Sequence, residues 1–92
     1  MSLSPKTRQK LIASAHELHP IVIIGNRGLT ASVLAETDRA LTDHELIKVK
    51  IGAESREERL EMAEKLSNEL SASCLRIIGH IAIVYRKNDV KP

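Results

Sequence analysis

Two spacings of apolar residues alternate along the chain, and each switch between them marks an element boundary. Leu11, Ala15 and Leu18 recur at helical spacing with Ile12 beside them, which predicts a first helix from Pro5 to Leu18. Ser4 offers a capping hydroxyl, and Pro5 suits the first helical position because that position needs no N–H. His19-Pro20 ends the helix, since the residue before a proline is pushed out of the helical region. Ile21 to Ile24 is short, β-branched and wholly apolar, and predicts a strand buried on both faces. Gly25 and Gly28 then mark a tight turn. Thr30 caps a second helix reaching Leu41, with Val33, Thr37, Ala40 and Leu41 as its inner stripe and Leu34 at the margin. From Leu46 to Ile51 the period drops to two, with Ile47, Val49 and Ile51 facing inward and Lys48 and Lys50 on a wet face. Gly52 breaks this strand. Ser55-Arg56-Glu57-Glu58 is a capping box that opens a third helix running to Leu70, with Leu66 and Leu70 inward beside Leu60, Met62 and Ala63. Two final strands, Cys74 to Ile78 and Ile81 to Arg86, are joined by the two-residue turn Gly79-His80. The polar tail from Lys87 to Pro92 is expected to fray.

The order is therefore α-β-α-β-α-β-β, an α/β (α+β) arrangement of three helices and four strands. A helix between the first two strands implies parallel pairing with a right-handed crossover, and the closing hairpin adds an antiparallel pair, so the sheet should be mixed. With 92 residues the chain fits one compact domain over 1–92. No apolar run approaches membrane-spanning length, and the first residues lack the apolar stretch of a leader. A single cysteine, Cys74, rules out an internal disulfide and reads as a packed small hydrophobe. A cytoplasmic protein, monomeric when free, is the expectation.

The net charge of +2 does not by itself announce a polyanion partner, but its distribution along the chain does more. Lys6, Arg8, Lys10 and Arg27 make residues 1–30 basic; Lys48 and Lys50 do the same for the second strand; and Arg76, Arg86, Lys87 and Lys91 for the C-terminal segment. The second and third helices are acidic, the third carrying the run Glu57, Glu58, Glu61 and Glu64 after Glu54. Such segregation yields one basic and one acidic face if the fold separates these segments, or a salt-bridged surface if it mixes them.

The pointed feature is the strand–Gly25-Asn26-Arg27-Gly28–helix unit. Glycines permit a turn that other residues resist and let a bulky partner approach the main chain. The amides opening the next helix have no acceptors within it and carry the positive end of its dipole, a ready anion site. Arg27 adds a fork of donors suited to phosphate. A dinucleotide loop would need a third glycine, and a P-loop four residues between its glycines followed by Lys-Ser/Thr; Leu29-Thr30 after Gly28 satisfies neither. GxxG at a helix start is how KH modules clamp a nucleic-acid backbone.

Other residues extend the candidate set. Lys48 and Lys50 on their strand, Lys6, Arg8 and Lys10 on the first helix, and Arg76 and Arg86 near the end can each meet phosphate or simply solvate a surface. His16 and His19 lack the cysteines or carboxylates that would complete a metal site, so neither a metal nor a cofactor is expected. No Ser-His-Asp or Cys-His set is arguable, which points away from an enzyme and a small-molecule substrate. There is no Trp or Phe, and Tyr85 stands alone. That excludes the aromatic platform on which RRM and OB folds stack bases. Recognition should rest on backbone and shape, with weak sequence preference and steep salt dependence.

Val22-Ile23-Ile24-Gly25-Asn26-Arg27-Gly28-Leu29-Thr30 resembles the signature of the CRM domain, the YhbY-like RNA-binding family. So do His44-Glu45-Leu46-Ile47-Lys48-Val49-Lys50 and Arg56-Glu57-Glu58-Arg59, while Ile78-Gly79 and Ile83-Val84-Tyr85-Arg86 resemble its closing hairpin. The resemblance spans almost the whole chain in order. It implies a four-stranded mixed sheet with three helices, similar to the C-terminal domain of translation initiation factor three. It also implies a role in ribosome biogenesis: free-standing bacterial members associate with precursors of the large ribosomal subunit, and in plant organelles the domain recurs in intron-splicing factors. The implied partner is ribosomal RNA of the large-subunit precursor. In one departure from the family pattern, Asn26 stands where a basic residue usually follows the first glycine, and Arg27 brings the charge one position later. The rival expectation is a protein-interaction module using the acidic helices.

Overall fold

The computed structural model describes residues 3–88. Its order is α1 (Pro5–Ala15), β1 (Pro20–Ile24), α2 (Ala31–His44), β2 (Leu46–Ile51), α3 (Arg56–Glu69), β3 (Ser73–Ile78) and β4 (Ile81–Tyr85). The strands form one mixed sheet in the order β1-β2-β4-β3. β1 runs parallel to β2, and β4 runs antiparallel to both β2 and β3. None of the described helices is long and apolar enough to cross a membrane.

The helix starts follow the local chemistry read from the chain. Ser4, Thr30 and Ser55 each hold an extended backbone and accept an amide three residues on, at 3.1 Å in all three cases. The ends differ from expectation. α1 stops at Ala15, and the amides of His16 and Leu18 turn back to the carbonyls of Ala13 and Ala15. This tight last turn frees the chain to deliver Pro20 into β1, and Leu18 is left exposed outside the core. α2 continues to His44 and is closed by Glu45, a non-glycine residue at φ 67°. Glu45 is held there from both sides. Its amide donates to Leu41, its carbonyl accepts from the Arg86 amide, and its carboxylate accepts from the Asn88 amide. Asn88 also bonds the Thr42 carbonyl through its side chain. Within the tail expected to fray, Asn88 is thus bonded back to the end of α2, and residues 89–92 lie outside the described part.

Two apolar clusters sandwich the sheet. On one face Val22, Ile24, Ile47, Val49, Ile51, Ala82 and Val84 meet Ala40 and Leu41 of α2 and Ala63 and Leu66 of α3. On the other face Leu75 and Ile83 meet Ile12 and Ala15 of α1, with Leu11, Leu46 and Tyr85 at the margin. Leu60 is exposed, one turn short of the buried stripe of α3, and is not the inward residue expected. One helix cannot cover the second face of four strands. α1 lies against β2 and β3 and leaves the outer edge bare.

The expectation that β1 is buried on both faces is thus overturned. Val22 and Ile24 are buried, but Ile21 is 46% and Ile23 65% exposed. β1 is an edge strand with a helix on one side only. The wet face of β2 is likewise wet only toward its end: Leu46 packs against α1's cluster, Lys48 is half-buried and Lys50 is exposed. Replacing Leu66, fully buried where α3 meets the sheet, is expected to show which layer carries the stability. Leu66→Ala should cost about 2–5 kcal/mol, read from urea unfolding as a lowered midpoint at unchanged slope.

Candidate nucleic-acid interface

The loop after β1 is built by three local bonds. The Gly28 amide donates to the Gly25 carbonyl at 3.0 Å, closing a four-residue turn, and the Thr30 amide donates to the Gly28 carbonyl at 3.0 Å. Thr30 then caps the Val33 amide. The two glycines have different reasons to be there. Gly28 sits at φ +72°, which side chains resist, and a Cβ on it would lie 3.7 Å from Met62 Cε. Gly25 has no such backbone demand, and a Cβ there would meet nothing within 4 Å. Within the protein Gly25 is not required; it leaves main chain open to an outside partner.

Asn26 and Arg27 are exposed at the tip, and Leu29 is half-buried against the α2–α3 core, seating the loop on the domain. Arg27 makes no hydrogen bond or ion pair with the described residues. Gly25 to Gly28, Thr30 and Ser32 line one shallow depression at the start of α2. The amides of Ala31 and Ser32 precede the first intrahelical bond and have no acceptor in the helix. α2 has no acid in its first turn, whereas α3 has Glu57 and Glu58 there. The positive end of the α2 dipole is left for an external anion.

The charged segments do separate. Helix α1 and all four strands contain six bases, Lys6, Arg8, Lys10, Lys48, Lys50 and Arg76, and no Asp or Glu. The acids stand on α2, α3 and the connections. Since α2 and α3 share one face of the sheet and α1 has the other, the basic segments make one side of the molecule. The described residues contain a single ion pair, Arg86 to Asp38 at 2.7 Å, so these cations are not locked into a surface mesh.

Individual candidates fall into two groups. Lys50 is exposed, registered between Ile23 of β1 and Ile81 of β4, and so lies close to the loop. Lys48 and exposed Arg76 flank Ile83 in the neighbouring row. Lys6 and Lys10 are exposed on α1. Arg8 is engaged differently, donating to the carbonyls of Leu75 at 3.1 Å and Cys74 at 3.4 Å, which pins α1 to β3. Arg86 is consumed by structure. It donates to Asp38 Oδ1, the carbonyls of Asp38 and Leu70, and Thr42 Oγ1, joining the ends of α2 and α3. The pattern of the chain missed exposed Ile21, Ile23 and Ile78 as surface features. A β-branched run looks the same at an edge as at a sheet centre, so no local signal marked them. Burial pushes the Cys74 thiol above its ordinary range, against the lowering effects of the Arg76 backbone and the Arg8 charge.

Comparison with known proteins follows the same lines. The family model described as the CRS1 / YhbY (CRM) domain matches residues 3–86. An RNA-binding protein of Haemophilus influenzae is 42% identical over 88 residues, covering 96% of this chain and 89% of its own. A "probable RNA-binding protein" of Pseudomonas aeruginosa is 40% identical over 88 residues, covering 96% and 85%. The solution structure of a hypothetical protein of Staphylococcus aureus superposes with a TM-score of 0.86 at 28% identity, over 99% of this chain and 95% of that one.

Arg86 is 19% exposed in its side chain and Asp38 55%. Arg86→Ala strips donors from several acceptors at once and should destabilise by about 2–3 kcal/mol. Asp38→Asn should cost less than about 1 kcal/mol because the carboxylate is solvated. Thermal or urea unfolding of the two variants checks the ranking.

Proposed function

This chain belongs to the CRS1/YhbY (CRM) domain family, and we propose from that membership and the site's geometry that it is a non-enzymatic RNA-binding protein that associates with ribosomal RNA of the large-subunit precursor during assembly. The observation that carries the reading is the pairing of an unneeded glycine with a free arginine. Gly25 opens main chain to solvent where nothing in the fold asks for glycine, and Arg27 stands beside it without a partner among the described residues. A phosphate placed there meets the guanidinium and the unpaired amides opening α2. Lys50, one strand over, takes the next contacts, and Lys48, Arg76, Lys6 and Lys10 extend the basic side.

Such an interface grips phosphate and carries no base code at the loop itself, so affinity for a ribosomal precursor comes from the shape in which that RNA presents its backbone. The same design makes binding strongly dependent on salt, since each neutralised phosphate releases counterions. The acidic helices stand on the opposite side and stay free for protein neighbours in an assembling particle.

Binding to large-subunit rRNA across a salt series tests the loop. Arg27→Glu should weaken binding and reduce the slope of log K against log salt by about one phosphate contact. Gly25→Ala should leave the unfolding midpoint unchanged yet weaken binding several-fold, because only an outside partner meets the added methyl. If both variants bind like the natural protein, the loop is not the clamp. Gradient fractions from cells assembling ribosomes at low salt should place the protein with large-subunit precursors, and its confinement to the free pool would refute the assembly role.

A further inference from the structure

The part of the sheet that α1 leaves bare is not uniformly polar. Ile23, Lys50, Ile81 and Ile78 form its outermost row across all four strands, in register. Ile23 is 65% and Ile78 52% exposed. Behind this row, where α1 ends at its cap residue His16, lies a cleft of about 260 Å³. Ile78, Ile81 and Ile83 line it, together with His16 and Lys48.

We propose that this cleft receives one unpaired nucleobase of a single-stranded RNA segment whose flanking phosphates run over Lys50 toward the Gly25–Gly28 loop. The proposal rests on the RNA-binding reading above and adds what the phosphate clamp lacks, a contact to a base. Three observations carry it. An isoleucine floor removes the face of a flat ring from water without needing an aromatic side chain. His16 supplies the one ring at the cleft, able to stack on the base, and Lys48 supplies a donor for a base oxygen or ring nitrogen.

The occupant follows from charge. No Asp or Glu occurs in α1 or in any strand; Glu17, in the turn after His16, is the acid nearest in sequence. An apolar floor edged by cations suits a polyanion that carries flat rings with apolar faces at short intervals, as single-stranded nucleic acid does. Lys48 and Lys50, two residues apart on one strand, stand about 7 Å apart along it. The row then continues through Ile23 to the glycine loop, so that Lys50 and Arg27 stand on either side of one exposed apolar residue along the path of the backbone. A base held in a helix cannot enter the cleft, so the segment bound here must be unpaired.

The test uses the full chain and short labelled RNA strands of equal length and charge: an intact single strand, the same strand made abasic, and a duplex. The intact strand should bind about fivefold or more tightly than the abasic one. His16→Ala and Ile78→Ser, both at exposed positions, should each shrink that ratio toward one while leaving abasic binding unchanged. Methyl signals of Ile78 and Ile81 should shift with the intact strand and not with the abasic one. Equal affinity for intact and abasic strands, or for the duplex, overturns the base cleft and leaves the phosphate clamp standing. A polyglutamate peptide that binds as tightly as the intact strand overturns it in favour of an acidic protein partner. Failure of every RNA to bind, rRNA included, overturns this cleft together with the reading it rests on.

Discussion

The register between β1 and β2 is the constraint on which the interface depends. The Gly52 amide donates to the Ile24 carbonyl at 2.9 Å just beyond the last paired residues. A Cβ at Gly52 would lie 3.0 Å from that same carbonyl oxygen, a tight contact that glycine avoids. Side chains alternate strictly along a strand, and a slip of one residue would send Val22 and Ile24 outward and bring Ile21 and Ile23 into the α2–α3 core. With the register held, β1 ends where β2 ends, and the glycine loop, the β2–α3 connection and the Gly79-His80 hairpin gather at one end of the sheet. His80 reinforces that end, its backbone carbonyl accepting from the Ile51 amide at 2.7 Å and its Nδ1 lying 2.8 Å from the Ile51 carbonyl, which accepts from it. The Arg59 guanidinium does the same for the connection, donating to the carbonyls of Ala53 and Glu54.

From that arrangement the electrostatics follow almost without further cost. Most acids are on the two helices that cover one face, where Arg39, Arg56, Arg59 and Lys65 stand among them, while α1 and the strands carry bases and no acid. Two cations serve architecture, Arg8 on the basic side by pinning α1 to β3 and Arg86 among the other two helices by joining α2, α3 and the C-terminal segment. A small domain with limited core gains from such multiply bonded arginines at its seams. The other cations of α1 and the strands make no ion pair among the described residues, which leaves their charge available to an external polyanion.

The near absence of aromatic residues is resolved by the same geometry. A domain without Trp or Phe cannot read bases by stacking on a platform, and the clamp proposed for its loop addresses only phosphate. Leaving one corner of the sheet uncovered puts isoleucines beside lysines, so that apolar contact and charge lie on one continuous surface next to the loop. That uncovered corner is a consequence of helix number. Two helices satisfy one face, and one helix satisfies half of the other.

Much was legible in the chain because local physics decides it. Capping hydroxyls at Ser4, Thr30 and Ser55, the period-two alternation of Leu46 to Ile51 and the glycine punctuation at 25, 28, 52 and 79 act within a few residues, and each marked its boundary or turn correctly. Periodicity and connection order gave four strands in a mixed sheet, and the family resemblance agreed with that and added the RNA reading; both fit the architecture and the relatives. What the chain could not settle depended on which neighbours each face would find. Whether Ile21 and Ile23 are core or surface depends on whether a helix lies over β1, and α1 lies elsewhere. Whether Arg86 meets phosphate or protein depends on Asp38, Thr42 and Leu70 arriving from other elements. Elements, turns and segregated charge are properties of neighbouring residues in sequence; burial, partnering and the open corner are properties of packing, and only the tertiary structure decided them.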